Sequence, residues 1–449
     1  MRLVVIGGDA AGMSAASEAR RRASDAEIIV LEATDDVSYG ACGLPYKLAE
    51  GASVEDLVII PAERFRKERR LDVRLRHRAT RLLPHRVAGE GPDGPFELGY
   101  DRVVVATGAR ATVPPIPGLA ELLGTRAFKL KTLADGRALK EALRADGLRR
   151  VAVVGAGYIG LEATEGLRQR GLEVTVLEAL SDVLPGLPEP LRKRAHAEAA
   201  RHGVVLRTGV RIEAVTATAS GVRLDTADGP HDVDVVLVAT GVQPNAELAA
   251  DAGIALGAAG SIAVDEQLRT SVSDVFAAGD CADARHAVTG QSVWIPLALR
   301  ANRAGKAAGA NALGGREKVP PVLGTAVFRF FGLEIARTGL SEGEARAAGF
   351  DVVAVVVSAA TRPKYYPGGS ELGISLLADR ATGRLLGGSM VGPEQAAHRI
   401  DTVAAAIHAG LTASALQQMD LGYAPPFGPS WSPLLIAAGQ LDKALRVKS

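Results

Sequence analysis

Apolar residues run in short unbroken blocks through the first part of the chain, and the blocks recur in a fixed order. Residues 2–7 (RLVVIG) have the continuous hydrophobic character of a strand buried on both faces. A glycine-rich turn follows from Gly7 to Gly12, then a helix rich in Ala and Arg to about Arg22, then a second strand, EIIVLE, closing on Glu32. Residues 149–178 repeat the unit: strand RRVAVVG, turn Gly155-Ala156-Gly157-Tyr158-Ile159-Gly160, helix LEATEGLRQRG, and strand EVTVLE closing on Glu178. From Gly12 to Glu32 is 20 residues, and from Gly160 to Glu178 is 18.

A glycine turn between a strand and a helix, with an acid about 20 residues further on, is the pattern of a dinucleotide site. The first glycine permits the tight turn. The second lets the backbone approach a pyrophosphate at the positive helix end, and the third lets helix and strand pack closely. The closing acid takes hydrogen bonds from a ribose diol. Two such units predict two dinucleotide sites, one built on Gly7, Ala10, Ala11, Gly12 and Glu32, the other on Gly155, Gly157, Tyr158, Ile159, Gly160 and Glu178. Asp9 stands where the second glycine of the first turn is usual, so its carboxylate is expected either to point away from the pyrophosphate or to have a water or cation between them. No Arg follows Glu178 within four positions, which favours NADH over NADPH, since a carboxylate repels a 2′-phosphate.

Two further blocks, YDRVVVATGA (100–109) and VDVVLVATGV (233–242), end in Ala-Thr-Gly, where a small turn can pass close to a cofactor; Thr107, Gly108 and Gly241 are the candidates. In TSVSDVFAAGDCAD (270–283) a strand finishes at Gly279-Asp280. Asp280 there is either a helix N-cap or, beside two nucleotide turns, a ligand of a ribityl hydroxyl. The prolines and glycine at 114–118 mark a linker, the chain leaves the second unit near 243–245, and the composition changes at 314–321. The predicted organisation is α/β, with a flavin-type nucleotide domain in two parts (1–112 and 245–318), a nicotinamide-type domain (113–244) and a third domain (319–449). The third carries strand-like runs (VVAVVVS, ELGISLLAD, GRLLGGSMVG) followed by helical ones, hence α+β.

Composition narrows the class. Across 449 residues Lys plus Arg is 52 against 51 for Asp plus Glu, which gives no general attraction to nucleic acid or anionic membrane. No apolar run has the length of a membrane span, and Gly7-Gly8-Asp9 interrupts the resemblance of the start to a signal peptide. Two cysteines cannot build a disulfide scaffold and suit a reducing, cytoplasmic setting. The excess of Arg over Lys and the scarcity of Asn fit either a hot-living source or a GC-rich genome.

The candidate chemistry then rests on few residues. Cys42 lies in SYGACGLPYKL, after the first strand pair and before an expected helix, whose N-terminus would lower the thiol pKa. A second cysteine five residues on would make a dithiol, but Lys47 is there, so an oxidised Cys42 must be a sulfenic acid or a mixed disulfide with an outside thiol. Cys281 reads as packed and inert. Tyr365 (RPKYYPGG) and Tyr423 (LGYAPPFGPSW) lie in loops and are either packing residues or proton donors to a departing thiolate. The basic run from Arg64 to Arg81 is either a solvated face or a docking surface for a phosphorylated ligand such as coenzyme A. No metal site is expected.

Over its whole length the chain resembles the single-cysteine pyridine nucleotide-disulfide oxidoreductases, and within them the coenzyme A disulfide reductases with their NADH oxidase and polysulfide reductase relatives. The motifs are GGxAAGMSAA (7–16), SYGACGLPY (38–46), GAGYIGLE (155–162), AAGDCA (277–282), KYYPGG (364–369) and YAPPFGPSW (423–431). The resemblance implies FAD in the first domain, NAD(P)H in the second and a homodimer formed by the third. It implies that Cys42 is the redox cysteine, that Tyr365 and Tyr423 reach the partner's active site, and that coenzyme A lies near Ser14, Arg21, Ser38, Arg69 and Asn302. The peroxidases and water-forming oxidases of the group carry a histidine in the first glycine turn, where this chain has Ala10. The sequence ends soon after the third domain without the rhodanese extension of some polysulfide reductases. Both features favour a disulfide reductase, with peroxide-forming oxidation or polysulfide reduction as the alternatives.

Overall fold

The computed structural model describes residues 1–447. Three five-stranded sheets organise the chain. The first is all parallel, in the order Val275–Ala277, Arg102–Val105, Arg2–Ile6, Glu27–Leu31, Asp72–Arg74. The second is also parallel, in the order Val205–Thr208, Glu173–Glu178, Arg150–Val154, Val235–Val238, Ala127–Phe128. The central strands are buried on both faces, which is why they read as unbroken Val/Ile/Leu runs rather than alternating ones. The chain thus returns at 275–277 to the edge of the sheet it left after Val105.

The duplication goes further than the sequence indicated. Each parallel unit carries a three-stranded antiparallel sheet before its fourth strand, at 78–99 in the first and 212–233 in the second. The two connections between the units pair with each other, Ala109–Ala111 antiparallel to Val242–Pro244. The third sheet is antiparallel, in the order Ala326–Phe330, Leu333–Gly339, Leu385–Gly392, Glu371–Asp379, Val352–Ala360. The helices Ala396–His408 and Pro433–Arg446 pack against it. The fold is therefore mixed α/β, with two nucleotide-type units and a C-terminal α+β part.

Two packing features position the site. The helix Ala10–Arg22 lies against Ala298–Ala312 along a seam of small residues, where a Cβ on Gly305 or Gly309 would collide with the backbone of Ala11 or Ala15. The segment that follows Cys42 is packed outside its own sheet: Leu44, Leu48 and Val54 belong to the core formed by Val151, Val153 and Leu161 of the second unit. Lys140, on the helix Leu133–Ala142, clamps the same segment by donating to the carbonyls of Lys47 (2.7 Å), Ala49 (3.3 Å) and Ala52 (2.5 Å). No helix among the described residues is long and apolar enough to cross a membrane.

Candidate active site

The two glycine turns make equivalent backbone contacts. Gly7 and Gly155 take φ of +109° and +104°, a region open to glycine, and their N–H groups donate to Leu31 O and Leu177 O at 2.8 Å each. A Cβ on Gly12 or Gly160 would strike the carbonyl of Gly7 or Gly155, so the helices Ala10–Arg22 and Tyr158–Gln169 start in backbone contact with their strands. Glu32 Oε2 accepts from Gly8 N–H at 2.7 Å, and Glu178 Oε2 from Ala156 N–H at 2.7 Å. Each second oxygen takes the N–H two residues on, Thr34 (2.7 Å) or Leu180 (2.8 Å). The closing acids thus brace the turns.

The residues present fit dinucleotides. A Cβ on Gly157 would meet nothing within 4 Å, which leaves the helix start open for a pyrophosphate. Gly108 and Gly241, with φ of +69° and +98°, are equally open. Ala10, Ala11 and Ile159 lie in the first turns of the two helices. Gly279 has φ of +87°, and a Cβ there would lie 2.6 Å from Ala11 Cβ, so this turn presses on the first helix. No helix follows Asp280 before Ala298, which removes the N-cap alternative. Its carbonyl accepts from Trp294 Nε1 at 2.7 Å and its carboxylate lies 3.4 Å from Lys131 Nζ. The buried Arg300 supports the turn by donating to Gly279 O at 3.0 Å and to Asp283 O. The Thr107 hydroxyl donates to Asn245 O at 2.6 Å and ties the crossing connection to this turn.

Asp9 is turned aside as expected: its Oδ1 accepts from Tyr39 N–H at 3.2 Å. Burial raises its pKa to about 6 against the pull of the Tyr39 bond and Lys131, with Glu32 and Asp280 adding to the rise. A carboxyl whose folded pKa is raised contributes full stability below its unfolded pKa, and this is lost as pH rises through the folded value. In flavin-free protein, Asp9→Asn should therefore gain about 1–3 kcal/mol at pH 8 and little at pH 4, read from urea midpoints. An equal change at both pH values would place the effect elsewhere.

Cys42 is exposed and stands in the middle of a three-residue 3₁₀ turn, Ala41–Gly43, followed by a second, Pro45–Leu48. The expected helix N-terminus is absent, and with it the expected lowering. Desolvation by the surrounding walls pushes the thiol up, Lys131 pulls it down, and Glu162, Asp280 and Asp9 push it up further. Lys131, which the sequence reading missed, is the cation facing both Cys42 and Asp280. Tyr158 is partly exposed, and burial and the nearby Cys42 both hold its hydroxyl protonated. Cys281 is 0 % exposed, its thiol directed at the carbonyls of Val105 and Ala278.

Tyr365 and Tyr423, 58 residues apart, are joined Oη to Oη at 3.0 Å. They are 73 % and 50 % exposed, and Phe427 and Trp431 of the same C-terminal loop are exposed too. No described hydrogen bond connects the pair to Cys42 of its own chain. Along the first helix, Ser14 donates to Asn302 Oδ1 at 2.8 Å, Arg21 pairs with Glu18 at 2.5 Å, and Ser17 accepts from Arg69 at 2.6 Å. These positions share one helix face. Ser38 takes φ of +50° and donates its N–H to Gly8 O at 3.0 Å. The basic run is largely neutralised: Arg64 pairs with Glu68, Arg66 and Lys67 with Glu63, Arg74 with Asp72 and Arg76 with Asp35. Arg69 is held over the Phe65 ring, 4.9 Å from its centroid.

Residues 1–305 match the family model described as pyridine nucleotide-disulphide oxidoreductase, and residues 325–433 match its dimerisation domain. The chain is 38 % identical over 447 residues to an NAD(P)H coenzyme A polysulfide/persulfide reductase from Pyrococcus horikoshii, covering 97 % of each. It is 36 % identical to an NADH oxidase from Methanocaldococcus jannaschii, covering 100 % of each. A coenzyme A disulfide reductase from Staphylococcus aureus is 28 % identical, over 95 % of this chain and 96 % of the relative. Among solved structures, an NAD-dependent persulfide reductase from A. fulgidus superimposes with a TM-score of 0.94 at 36 % identity, covering 98 % of this chain and 83 % of that one. With both nucleotide units and the C-terminal part matched, the chain belongs to the FAD- and NAD(P)H-dependent pyridine nucleotide-disulphide oxidoreductases.

Proposed function

We propose that the protein reduces coenzyme A disulfide, or a mixed disulfide of coenzyme A, with NADH as the electron donor and Cys42 as the only redox thiol. The observation that carries this reading is the pairing of one exposed thiol beside the two nucleotide turns with a second cysteine that is wholly buried. An internal disulfide is thereby unavailable, and the partner sulfur must come from outside. The overall change is NADH + H⁺ + CoA–S–S–CoA → NAD⁺ + 2 CoA–SH.

The Cys42 thiolate attacks one sulfur of the disulfide. A Cys42–S–S–CoA bond forms, the original S–S bond breaks, and the first coenzyme A leaves as a thiolate that takes a proton. Tyr423 and Tyr365, supplied by the partner subunit of a homodimer, are the proposed donors. Two electrons then cleave the mixed disulfide, releasing the second thiol and restoring the Cys42 thiolate. Gly7, Ala10, Ala11, Gly12, Glu32, Thr107, Gly108, Gly279 and Asp280 would hold FAD, which when bound would supply two-electron chemistry between the nicotinamide and that sulfur. The Cys42 thiolate is stabilised by Lys131. Coenzyme A is proposed to lie along the face marked by Ser14, Arg21, Ser38, Arg69 and Asn302, with its phosphates toward Arg69.

The test is anaerobic NADH oxidation with coenzyme A disulfide, counting thiols. Two thiols per NADH support the proposal, and oxidation that returns only in air replaces it with an oxidase. The similarity to the P. horikoshii protein favours a second reading, reduction of polysulfide or persulfide sulfur through the same thiol. It is distinguished by sulfide release from polysulfide with no turnover of the coenzyme A disulfide. For the nucleotide, kcat/KM for NADH is expected to exceed that for NADPH by about tenfold or more, because Glu178 closes its strand where a 2′-phosphate would fall. Glu178→Ala should narrow the ratio; an unchanged ratio would remove Glu178 from the selection.

A further inference from the structure

Tyr46 lies four residues after Cys42, on the turn Pro45–Leu48, and its hydroxyl points out of its own unit. It donates to Glu162 Oε1 at 2.5 Å and accepts from Arg329 N–H at 3.3 Å. Glu162 sits two residues after Gly160 on the second nucleotide helix, and Arg329 on the first strand of the C-terminal sheet. One phenol therefore joins all three parts of the chain beside the redox thiol. The junction is tight: a Cβ on Gly166 would lie 2.9 Å from Pro45 O and 3.1 Å from Leu48 Cβ.

Glu162 is 7 % exposed, and among the described residues Tyr46 is its hydrogen-bond partner and no cation pairs with it. The nearby lysines are engaged elsewhere, Lys47 with Asp56 at 2.8 Å and Lys131 with Asp280. Glu165, one turn on, is committed to Phe331 N–H at 2.7 Å. A buried carboxyl with a single neutral donor is a poor place for a fixed charge.

We infer that Tyr46 and Glu162 form a positioning pair that sets the charge beside Cys42, so that ionisation of the redox thiol is governed by a carboxyl belonging to the nicotinamide-binding unit. The inference concerns the thiol itself and holds whichever sulfur substrate it attacks. The groups facing Cys42 are Lys131, which favours the thiolate, and Glu162, Asp280 and Asp9, which oppose it; the Tyr158 hydroxyl faces it from the same helix as Glu162. Burial and Glu165 raise the Glu162 pKa to about 7, against the bond from Tyr46. An ionised Glu162 opposes the thiolate, and a protonated one does not. Thiolate formation is thus resisted as pH rises through neutrality, which broadens its pH dependence.

The experiment is the rate of iodoacetamide alkylation of Cys42 in the reduced holoenzyme across pH, read by mass at the Cys42 peptide. Glu162→Gln removes the opposing charge and should react about fivefold faster at neutral pH with a narrower profile. Tyr46→Phe withdraws the donor that favours the charged carboxyl, so Glu162 stays protonated longer and the rate should again rise. The double variant should be no faster than Glu162→Gln alone. Flavin content and far-UV circular dichroism confirm the fold, and Tyr46→Phe decides the matter if Glu162→Gln is lost. An unchanged alkylation profile in a folded single variant overturns the inference, as do effects that multiply in the double variant.

Discussion

Cys42→Ser is expected to lower disulfide reduction by at least about a thousandfold while the protein keeps its flavin. A serine hydroxyl does not ionise near neutral pH and cannot form the S–S link through which electrons pass. The remaining thiol cannot substitute, because Cys281 is fully buried, with its sulfur 3.5 Å from Val105 O and 3.4 Å from Ala278 O. The nucleotide turns do not involve Cys42, so flavin absorbance per chain should match the unaltered protein. Anaerobic NADH oxidation with coenzyme A disulfide measures the loss. Retained turnover would move the chemistry off Cys42 and sink the mechanism.

Tyr423→Phe should lower kcat on the disulfide by about a hundredfold, with a smaller change in KM, because it removes a proton donor and leaves the ring in place. Tyr365→Phe should do nearly the same, and the double variant should fall little further. The two hydroxyls are 3.0 Å apart and act as one unit. The bond with Tyr423 raises the pKa of Tyr365, which holds the Tyr365 hydroxyl in its protonated, donating form. Both residues are exposed in the single chain, which leads to a sharper test with mixed subunits. A hybrid of one Cys42→Ser chain and one Tyr423→Phe chain has an intact site only if the tyrosine serves the partner's cysteine. About half the normal activity is then expected, since one of two symmetric sites survives. A hybrid as inactive as its parents would confine each site to a single chain.

The sequence was most informative where a structural unit repeats. The two strand–turn–helix–strand runs predicted the two nucleotide-type units with Glu32 and Glu178 closing their second strands, and the Ala-Thr-Gly blocks predicted the buried strands at 102–105 and 235–238. Each of these is local and periodic, so spacing alone carries it. The contacts that tune the site are of another kind. Lys131 with Asp280, Tyr46 with Glu162, and Tyr365 with Tyr423 join residues 149, 116 and 58 positions apart. No periodicity links such pairs, and only the packed fold brings them together. The helix expected after Cys42 was misjudged for a physical reason: Gly43 and Pro45 break the segment into two short turns, so it offers no N-terminal dipole to the thiol. In the C-terminal part the strands at 326–330 and 333–339 went unread: Phe331 and Gly332 alone separate them, and the charged Arg329, Glu334 and Arg337 interrupt their apolar runs.

The anchoring of the Cys42 segment limits how this enzyme can be redesigned. Leu44, Leu48 and Val54 fill the core of the second unit. Lys140 holds three carbonyls of the segment, and Arg137 grips Asp36 and Glu55 from the same helix. The second nucleotide-type unit is therefore not an exchangeable module. Grafting in a unit from another protein to change the coenzyme would strip the reactive loop of its supports and misplace the sulfur, even if the graft folded and bound its nucleotide. Coenzyme choice has to be rewritten by point substitutions in the 178–182 turn, whose residues belong neither to that core nor to the Lys140 and Arg137 contacts, so that the backbone carrying the cysteine is left untouched.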